Sequence, residues 1–396
     1  MNEDEIAVRL KENSPKTYDT AVVGGGIAGC AAALASVRHG MKTLLIEKLN
    51  VLGGLATAGH ITIYLPLDDG RRRQVITGIS EELLLLSTKE VYYGPDVSKW
   101  KEEGRRYECK FNGPAYSLLL EELLLNEGVD ILYDTAFTSC MIENGHCTGI
   151  EAHNKSGRIL IRGEEYIDAT GDAHLFYMAG EKCLASKNSL AVWLYQTDGE
   201  KTNVQKRGGN DAPGLELVSM GKIDTKAEKH IVTIPYYGDN GDSVNKFIID
   251  GHRRILSRIK EDRSFVPASL PGIAQIRMAR RIDGMHCLSD EDRNRHFADN
   301  IGATGDWRRP GPVYEIPYRS LVSPNLDNVI AAGRCISASG EAWEITRCIP
   351  QAALTGEASG TAAAIACKKH IDLRKLEYED LRKALLESGV SLDINN

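Results

Sequence analysis

Apolar positions along this chain fall into short runs of strand length and longer stretches of helical length, and each change of pattern marks an element. Tyr18 to Val23 is an apolar strand that runs into Gly24, Gly26 and Gly29. Thr20 to Val37 carries no charge, but glycine and alanine dominate it, so it reads as strand plus helix and not as a membrane span. A second strand, Lys42 to Ile46, ends on Glu47. GISEELLLL predicts a helix, KWKEEGRR a wet, basic segment, and AYSLLLEELLLNEG a helix over Ala115 to Glu127, stopped by Gly128. VDILYD is a buried strand. TAFTSCMI, HCTGIEAH and RILIRGEEYI then meet at Asn144-Gly145 and Ser156-Gly157, which predicts a β-meander leading into IDATGDA.

From about Ala185 to Ser320 the texture changes. LAVWLYQTD, HIVTIPYY and GPVYEIPYRSL read as strands between polar loops, with a helix near Ser243 to Lys260. At Asn328 the buried texture returns in NVIAAGRCIS, and a small-residue helix begins at Pro350. LRKLEYEDLRKALLESG closes the chain as an amphipathic helix. The expected fold class is α/β with an α+β insert. The expected organisation is an N-terminal extension (1–17), a nucleotide domain in two parts (18–184 and 321–370), an inserted cap (185–320) and a helical tail (371–396).

The first ligand signal is the G-x-G-x-x-G turn in its full strand–helix–strand setting. Gly24 permits the tight turn, Gly26 lets backbone approach a pyrophosphate, and Gly29 lets the helix lie close on the sheet. Ile27 and Ala28 lie between them, where free N–H groups and the helix dipole favour phosphate. Glu47 offers acceptors for both ribose hydroxyls, which favours an unphosphorylated adenosine ribose. IGATGDW and IDATGDA share letters with this turn but lack its flanking elements, so one dinucleotide is expected.

Composition narrows the class further. The 48 basic and 55 acidic side chains give a formal net charge of -7, which argues against a nucleic-acid or membrane partner. MNEDEIAVRLKENSPK lacks the layout of a secretory signal. Nine cysteines without a C-x-x-C pair suit reduced thiols, with no metal site and a cytoplasmic location expected.

The order GGGIAG, acid, GGLATAG, helix, meander, IDATGDA, RMARRIDG, YEIPYRSL, NVIAAGRCISASGEAW and PQAALTGEASGTAAA resembles the FAD-dependent oxidoreductase flavoproteins, distant relatives of fumarate reductase and succinate dehydrogenase flavoproteins. The resemblance runs from about residue 18 to the tail. It implies a Rossmann-like FAD domain of the glutathione-reductase type and non-covalent FAD. It implies that Gly24, Gly26 and Gly29 cradle the pyrophosphate and that Glu47, with Lys48 beside it, holds the ribose. Gly53, Gly54, Ala56 and Thr57 would run under the flavin, through backbone amides or the Thr57 hydroxyl. Phe137 would meet adenine through its backbone, and Gly171 and Asp172 would close over the phosphates. Gly333 and Arg334 would meet the ribityl chain, where many flavoproteins carry Gly-Asp. The helix of Pro350 and Gln351 would place its N-terminus on the flavin, where reduced flavin carries negative charge.

Substrate-side candidates are fewer. Arg277, Arg280 and Arg281 offer guanidinium groups to a carboxylate, against the plainer reading of a solvated helix face or ion pairs. Glu341 and Arg347 bracket the turn before the flavin helix. Gly340 stands where relatives often carry histidine, which leaves His60 and Tyr318 as proton-transfer candidates. The expected function is hydride transfer between a small polar or anionic metabolite and flavin N5, with a separate electron acceptor or donor and a possible homo-oligomer. A non-redox flavoprotein and an electron-transfer subunit remain the alternatives.

Overall fold

The computed structural model describes residues 16–89, 96–197, 215–220 and 236–392. β1 (Lys16–Val23) passes through the glycine turn into α1 (Ile27–Arg38), and β2 (Thr43–Ile46) returns parallel to β1 with Val23 opposite Ile46. α2 (Ile79–Thr88) and α3 (Gly113–Asn126) follow, and β3 (Asp130–Leu132) adds to β2, again parallel. Asn112 caps α3 by accepting from Ala115 N at 3.0 Å, which explains a start two residues earlier than the apolar pattern alone indicates.

The meander forms β4 (Ala136–Glu143), β5 (His146–Asn154) and β6 (Gly157–Asp168). Asn144 and Gly145 both take positive φ, 53° and 83°, as a two-residue hairpin turn requires. β6 changes partner along its length. Gly157 to Ile161 pair antiparallel with β5, while Ile161 to Asp168 run parallel to β1. The meander is thereby welded to the nucleotide-binding strands.

Small sheets follow. β7 (Cys183–Ala185) and β8 (Val192–Thr197) precede β9 (Leu215–Met220), the long α4 (Gly241–Glu261), β10 (Val266–Ser269) and β11 (Arg280–Ile282). β8 is central between β9 and β10, and β11 pairs with β7. β12 (Asn300–Gly305) and β13 (Val313–Pro317) form another antiparallel pair. Most of HIVTIPYY falls outside the described residues. KWKEEGRR is less wet than its charges indicate, because Trp100 is buried and stacked on Tyr107 at 5.0 Å.

β14 (Val329–Ala331) then rejoins the first sheet beside β6, completing seven strands in the order β3-β2-β1-β6-β5-β4 with β14 also on β6. α5 (Gly340–Thr346), α6 (Ile349–Lys369) and α7 (Tyr378–Glu387) end the fold. α6 starts at Ile349, so Pro350 occupies the second helical position, where its missing N–H still costs nothing.

α1 and α6 are buried on nearly every side, and small residues let them touch. A Cβ on Gly356 would fall 2.2 Å from Ala28 O, and one on Gly360 2.2 Å from Ala32 O. Gly356→Ala is expected to force the helices apart and cost about 2–3 kcal/mol despite the better helix propensity of alanine. Urea midpoints check this against Gly241→Ala, where a Cβ meets nothing within 4 Å.

Candidate active site

Three glycines shape the first turn in different ways. Gly24 takes φ +105°, and a Cβ there would lie 2.6 Å from Ala169 O. At Gly29 it would lie 1.8 Å from Gly24 O, so the turn closes on its own helix. At Gly26 it would meet nothing within 4 Å, and Gly26 is the N-cap of α1 without any side-chain cap. The leading N–H groups of α1 therefore lack internal partners and present a positive helix end to an anion. Ile27 and Ala28, both buried, open that helix. Glu47 is 5 % exposed and accepts from Gly25 N at 2.7 Å and Leu49 N at 2.8 Å. Burial pushes its carboxyl upward, and each oxygen keeps a second lone pair. Lys48 beside it is exposed.

The second glycine loop packs directly on the first. Gly53 N donates to Gly25 O at 2.8 Å, and a Cβ on Gly54 would come within 3.1 Å of Gly26 Cα. Ala56 is buried beneath. The Thr57 hydroxyl donates to Leu52 O inside the loop, which leaves its oxygen lone pairs as acceptors. The Thr57 amide likewise donates to Gly54 O at 3.2 Å.

Gly333, at φ +83°, seats the two helix N-termini together. A Cβ there would lie 2.7 Å from Ala28 Cβ and 3.9 Å from Ala352 Cβ. Its N donates to Thr355 Oγ1 at 2.9 Å. Arg334 lies against Gly171 and pairs with Asp172 at 2.7 Å, so the arginine that replaces the usual aspartate has its counter-charge from the chain itself. Its Nε is buried without a partner. α6 begins beside it with no side-chain cap and no acid in its first turn. Gln351 is fully buried; its amide nitrogen donates to Thr304 Oγ1, while its Oε1 has no partner. Phe137 stands edge-on to His174 at 5.6 Å, near Asp172 on the side of the meander.

The segment 272–275 packs on the end of the second glycine loop. Gly272 N donates to Ala58 O at 2.8 Å, and Gln275 Nε2 donates to Gly59 O at 2.6 Å and to Trp193 O at 2.8 Å. His60 follows at φ +55°, its ring 5.2 Å from Tyr195 and its Nδ1 buried without a partner. Burial pushes its pKa down, so the ring is neutral near pH 7. Arg277 donates from Nη1 to Gln275 O. Gln275 and Tyr195 carry no motif in the sequence; only the folding of β8 over the glycine loop brings them here.

Other candidates are engaged by partners within the chain. Arg347 is tied to Glu344 at 2.5 and 2.8 Å. Glu341, 41 % exposed, is drawn toward the surface by Arg309 at 2.8 Å, Arg308 at 3.3 Å and Arg293 at 3.5 Å. Arg280 and Arg281 are on a buried strand and not on a helix face. Arg280 meets His174 at 3.2 Å and covers the Tyr177 ring, and Arg281 packs over Trp343. Tyr318 is buried with its hydroxyl on Leu373 O at 2.9 Å, away from the glycine loops. Gly340 has φ +57° and a Cβ there would meet Asp290 Oδ2 at 2.7 Å, so a side chain at this position is strained and must displace the Asp290 carboxylate.

Two apposed glycine loops, two uncapped helix ends and the orphaned Nε of Arg334 fit an elongated dinucleotide with a redox-active end. The fold and site define a flavoprotein of the parallel-sheet, Rossmann-like class. The chain belongs to the FAD dependent oxidoreductase family, whose profile matches residues 19–192 and 261–385, and it is an enzyme that uses FAD.

Among curated proteins it is 30 % identical over 167 residues to the tRNA uridine 5-carboxymethylaminomethyl modification enzyme MnmG of Geotalea uraniireducens, covering 39 % of this chain and 24 % of that one. It is 28 % identical over 196 residues to glutathione reductase of Debaryomyces hansenii, covering 49 % and 38 %. It is 24 % identical over 253 residues to NADH:fumarate oxidoreductase of Klebsiella pneumoniae, covering 53 % and 25 %. The matched region thus spans between about a quarter and two-fifths of these relatives. Among solved structures, p-nitrophenol 4-monooxygenase PnpA of Pseudomonas putida shares the fold, with TM-score 0.54 at 13 % identity over 94 % of this chain and 85 % of that one. Among the described residues no helix is long and apolar enough to cross a membrane.

Proposed function

We propose that this protein exchanges a hydride between a small anionic metabolite and FAD, and that a separate acceptor or donor completes the cycle. The observation that carries this reading is the bond from Gln275 to Gly59 O, which fastens Arg277's neighbour to the second glycine loop beside His60, in a chain whose α6 N-terminus is left uncapped. FAD supplies the two-electron chemistry when bound; the chain supplies orientation and electrostatics.

In this reading residues 18–184 and 321–370 hold the cofactor and 185–320 cover it. The α1 end, with Gly24, Gly26 and Gly29, takes the pyrophosphate, Glu47 the ribose, and the Gly53-Gly54 loop with the α6 end the flavin. His60, neutral and with a free Nδ1, accepts a proton from the substrate. Arg334 is held by Asp172 toward the phosphate side.

The test is an anaerobic screen of small carboxylates and hydroxy acids with the FAD-loaded enzyme, watching loss of flavin absorbance. Substrate-dependent bleaching, reversed by an added acceptor, is the expected result. Turnover with a flavin that stays oxidised throughout would overturn it. His60→Gln is expected to lower kcat about 100-fold with FAD content unchanged, the usual scale for a general base. The acidic limb of the pH–rate profile, lying below pH 6.5 because burial lowers the His60 pKa, should disappear with it.

A further inference from the structure

Arg277 stands apart from the other arginines around the site. Arg334 is paired with Asp172, Arg347 with Glu344, and Arg308 with Asp306 at 3.0 Å. Among the described residues Arg277 has no acidic partner, and its side chain bonds through Nη1 to the carbonyl of Gln275. It is also pinned from behind, because its backbone N donates to Asn188 Oδ1 at 3.1 Å and Asn188 is itself buried. Gln275 is 3 % exposed and locked to Gly59 and Trp193, so the Arg277 side chain hangs from a rigid clamp beside His60.

We infer that Arg277 is the residue that binds the substrate, by gripping a carboxylate through its free Nη2 and Nε edge. One nitrogen is already committed to Gln275 O, which leaves a single two-donor edge. That edge matches the two coplanar oxygens of a carboxylate better than the three-fold face of a phosphate. Local charge agrees. Burial and the nearby guanidinium groups of Arg347 and Arg334 push the Arg277 pKa down, with Glu344 the carboxylate that acts against them, and Glu344 is spent on Arg347. A half-buried cation whose nearest described carboxylate serves another arginine is costly to keep charged, and an incoming carboxylate lowers that cost. Because the same clamp positions His60, a carboxylate on Arg277 places the neighbouring carbons of the ligand by the flavin-side loop. The substrate class is therefore a small carboxylic acid whose reacting carbon lies within a bond or two of the carboxylate.

This rests on the proposed function for the identity of the site, but its test needs no turnover. FAD-loaded protein is titrated with propionate, and separately with inorganic phosphate, following the flavin difference spectrum. Propionate is expected to perturb the spectrum saturably, and phosphate not to compete with it. Arg277→Met should weaken propionate about 30-fold, the scale of one lost charge-assisted bidentate contact, with FAD affinity and far-UV circular dichroism unchanged. Arg277→Lys should recover only part of the loss, since an ammonium cannot offer the fork. Equal propionate binding in Arg277→Met would overturn the inference. So would an absence of binding in the parent, tighter binding of phosphate, or loss of FAD in the variant, which would assign Arg277 to the cofactor. Propionate binding in a protein whose flavin no substrate ever reduces would sink the hydride reading and leave this one standing.

Discussion

Gly26→Ala should give a protein that folds as well as its parent and yet comes out colourless. Gly26 has φ -69°, a value alanine adopts freely, and a Cβ there meets nothing within 4 Å. The apo fold therefore has no reason to resist the change, and the reduced freedom of the unfolded chain adds up to about 1 kcal/mol in its favour. The cost falls on the cofactor, because the methyl group occupies the approach of a pyrophosphate to the α1 N–H groups. Losing roughly two charge-assisted hydrogen bonds, at about 1.5 kcal/mol each, weakens FAD about 100-fold. Gly29→Ala should behave in the opposite way. Alanine is the better helix former by about 1 kcal/mol, but its Cβ would sit 1.8 Å from Gly24 O and 3.2 Å from Ala169 Cβ. The clash outweighs propensity, and a loss of about 3 kcal/mol in apo stability is expected together with the loss of FAD. Urea unfolding of FAD-stripped protein and the flavin-to-protein absorbance ratio separate the two effects. A Gly26→Ala protein that keeps parental FAD affinity would show that the phosphates do not sit at this turn.

The contrast between these glycines also shows where sequence reading succeeds. The turn, the meander and the late small-residue helix were legible because each is a local pattern: a glycine at fixed spacing, Asn-Gly between alternating runs, alanine and glycine on one helix. Gly356 and Gly360 meet Ala28 and Ala32 of α1, a pairing that no local pattern in the small-residue helix names. The catalytic end was less legible for a physical reason. Gln275, Tyr195 and Asn188 act through side-chain hydrogen bonds between segments up to about two hundred residues apart, and such bonds leave no periodic trace. Glu341 looked well placed by proximity to the flavin helix. Proximity along the chain says nothing about direction, and three arginines turn it outward. The bond from the Thr57 hydroxyl to Leu52 O inside its own loop is likewise invisible in the sequence.

Stability should fall as the pH rises from 7 to 8, against the common expectation of a plateau there. Two glutamates outside the active site are responsible. Glu165 on β6 is 5 % exposed with Oε2 unpartnered, and burial, helped by Asp327, Glu164 and Asp372, pushes its pKa up to about 9. Glu357 on α6 is 1 % exposed, accepts from Ile79 N at 2.8 Å, and is pushed up to about 8 by burial first and by Glu82 among its neighbours. Both carry a proton in the folded protein near pH 7, whereas the unfolded chain releases it near pH 4.5. The folded state thus binds more protons over this interval, and linkage makes stability decline as pH rises through the folded values. Each fully protonated group contributes a slope of about 1.4 kcal/mol per pH unit, an upper bound that partial titration of Glu357 reduces. His39, His60 and His174, whose pKa values burial lowers, act with the opposite sign, but their contribution is complete once pH exceeds the unfolded value of 6.5. The paired aspartates Asp299, Asp306 and Asp372 finish lower still. Above pH 7 the carboxyls that burial pushes up are left to dominate, Glu165 and Glu357 with any share from Glu47, Glu108 and Asp168, which act with the same sign. Glu165→Gln keeps the shape and removes the titration, so its advantage over the parent should grow by about 1 kcal/mol between pH 7 and pH 8 in urea melts at saturating FAD. Parallel stability curves for the two proteins would mean that Glu165 is already ionised in the folded state, and would require a counter-charge that the surrounding Asp327, Glu164 and Asp372 do not provide.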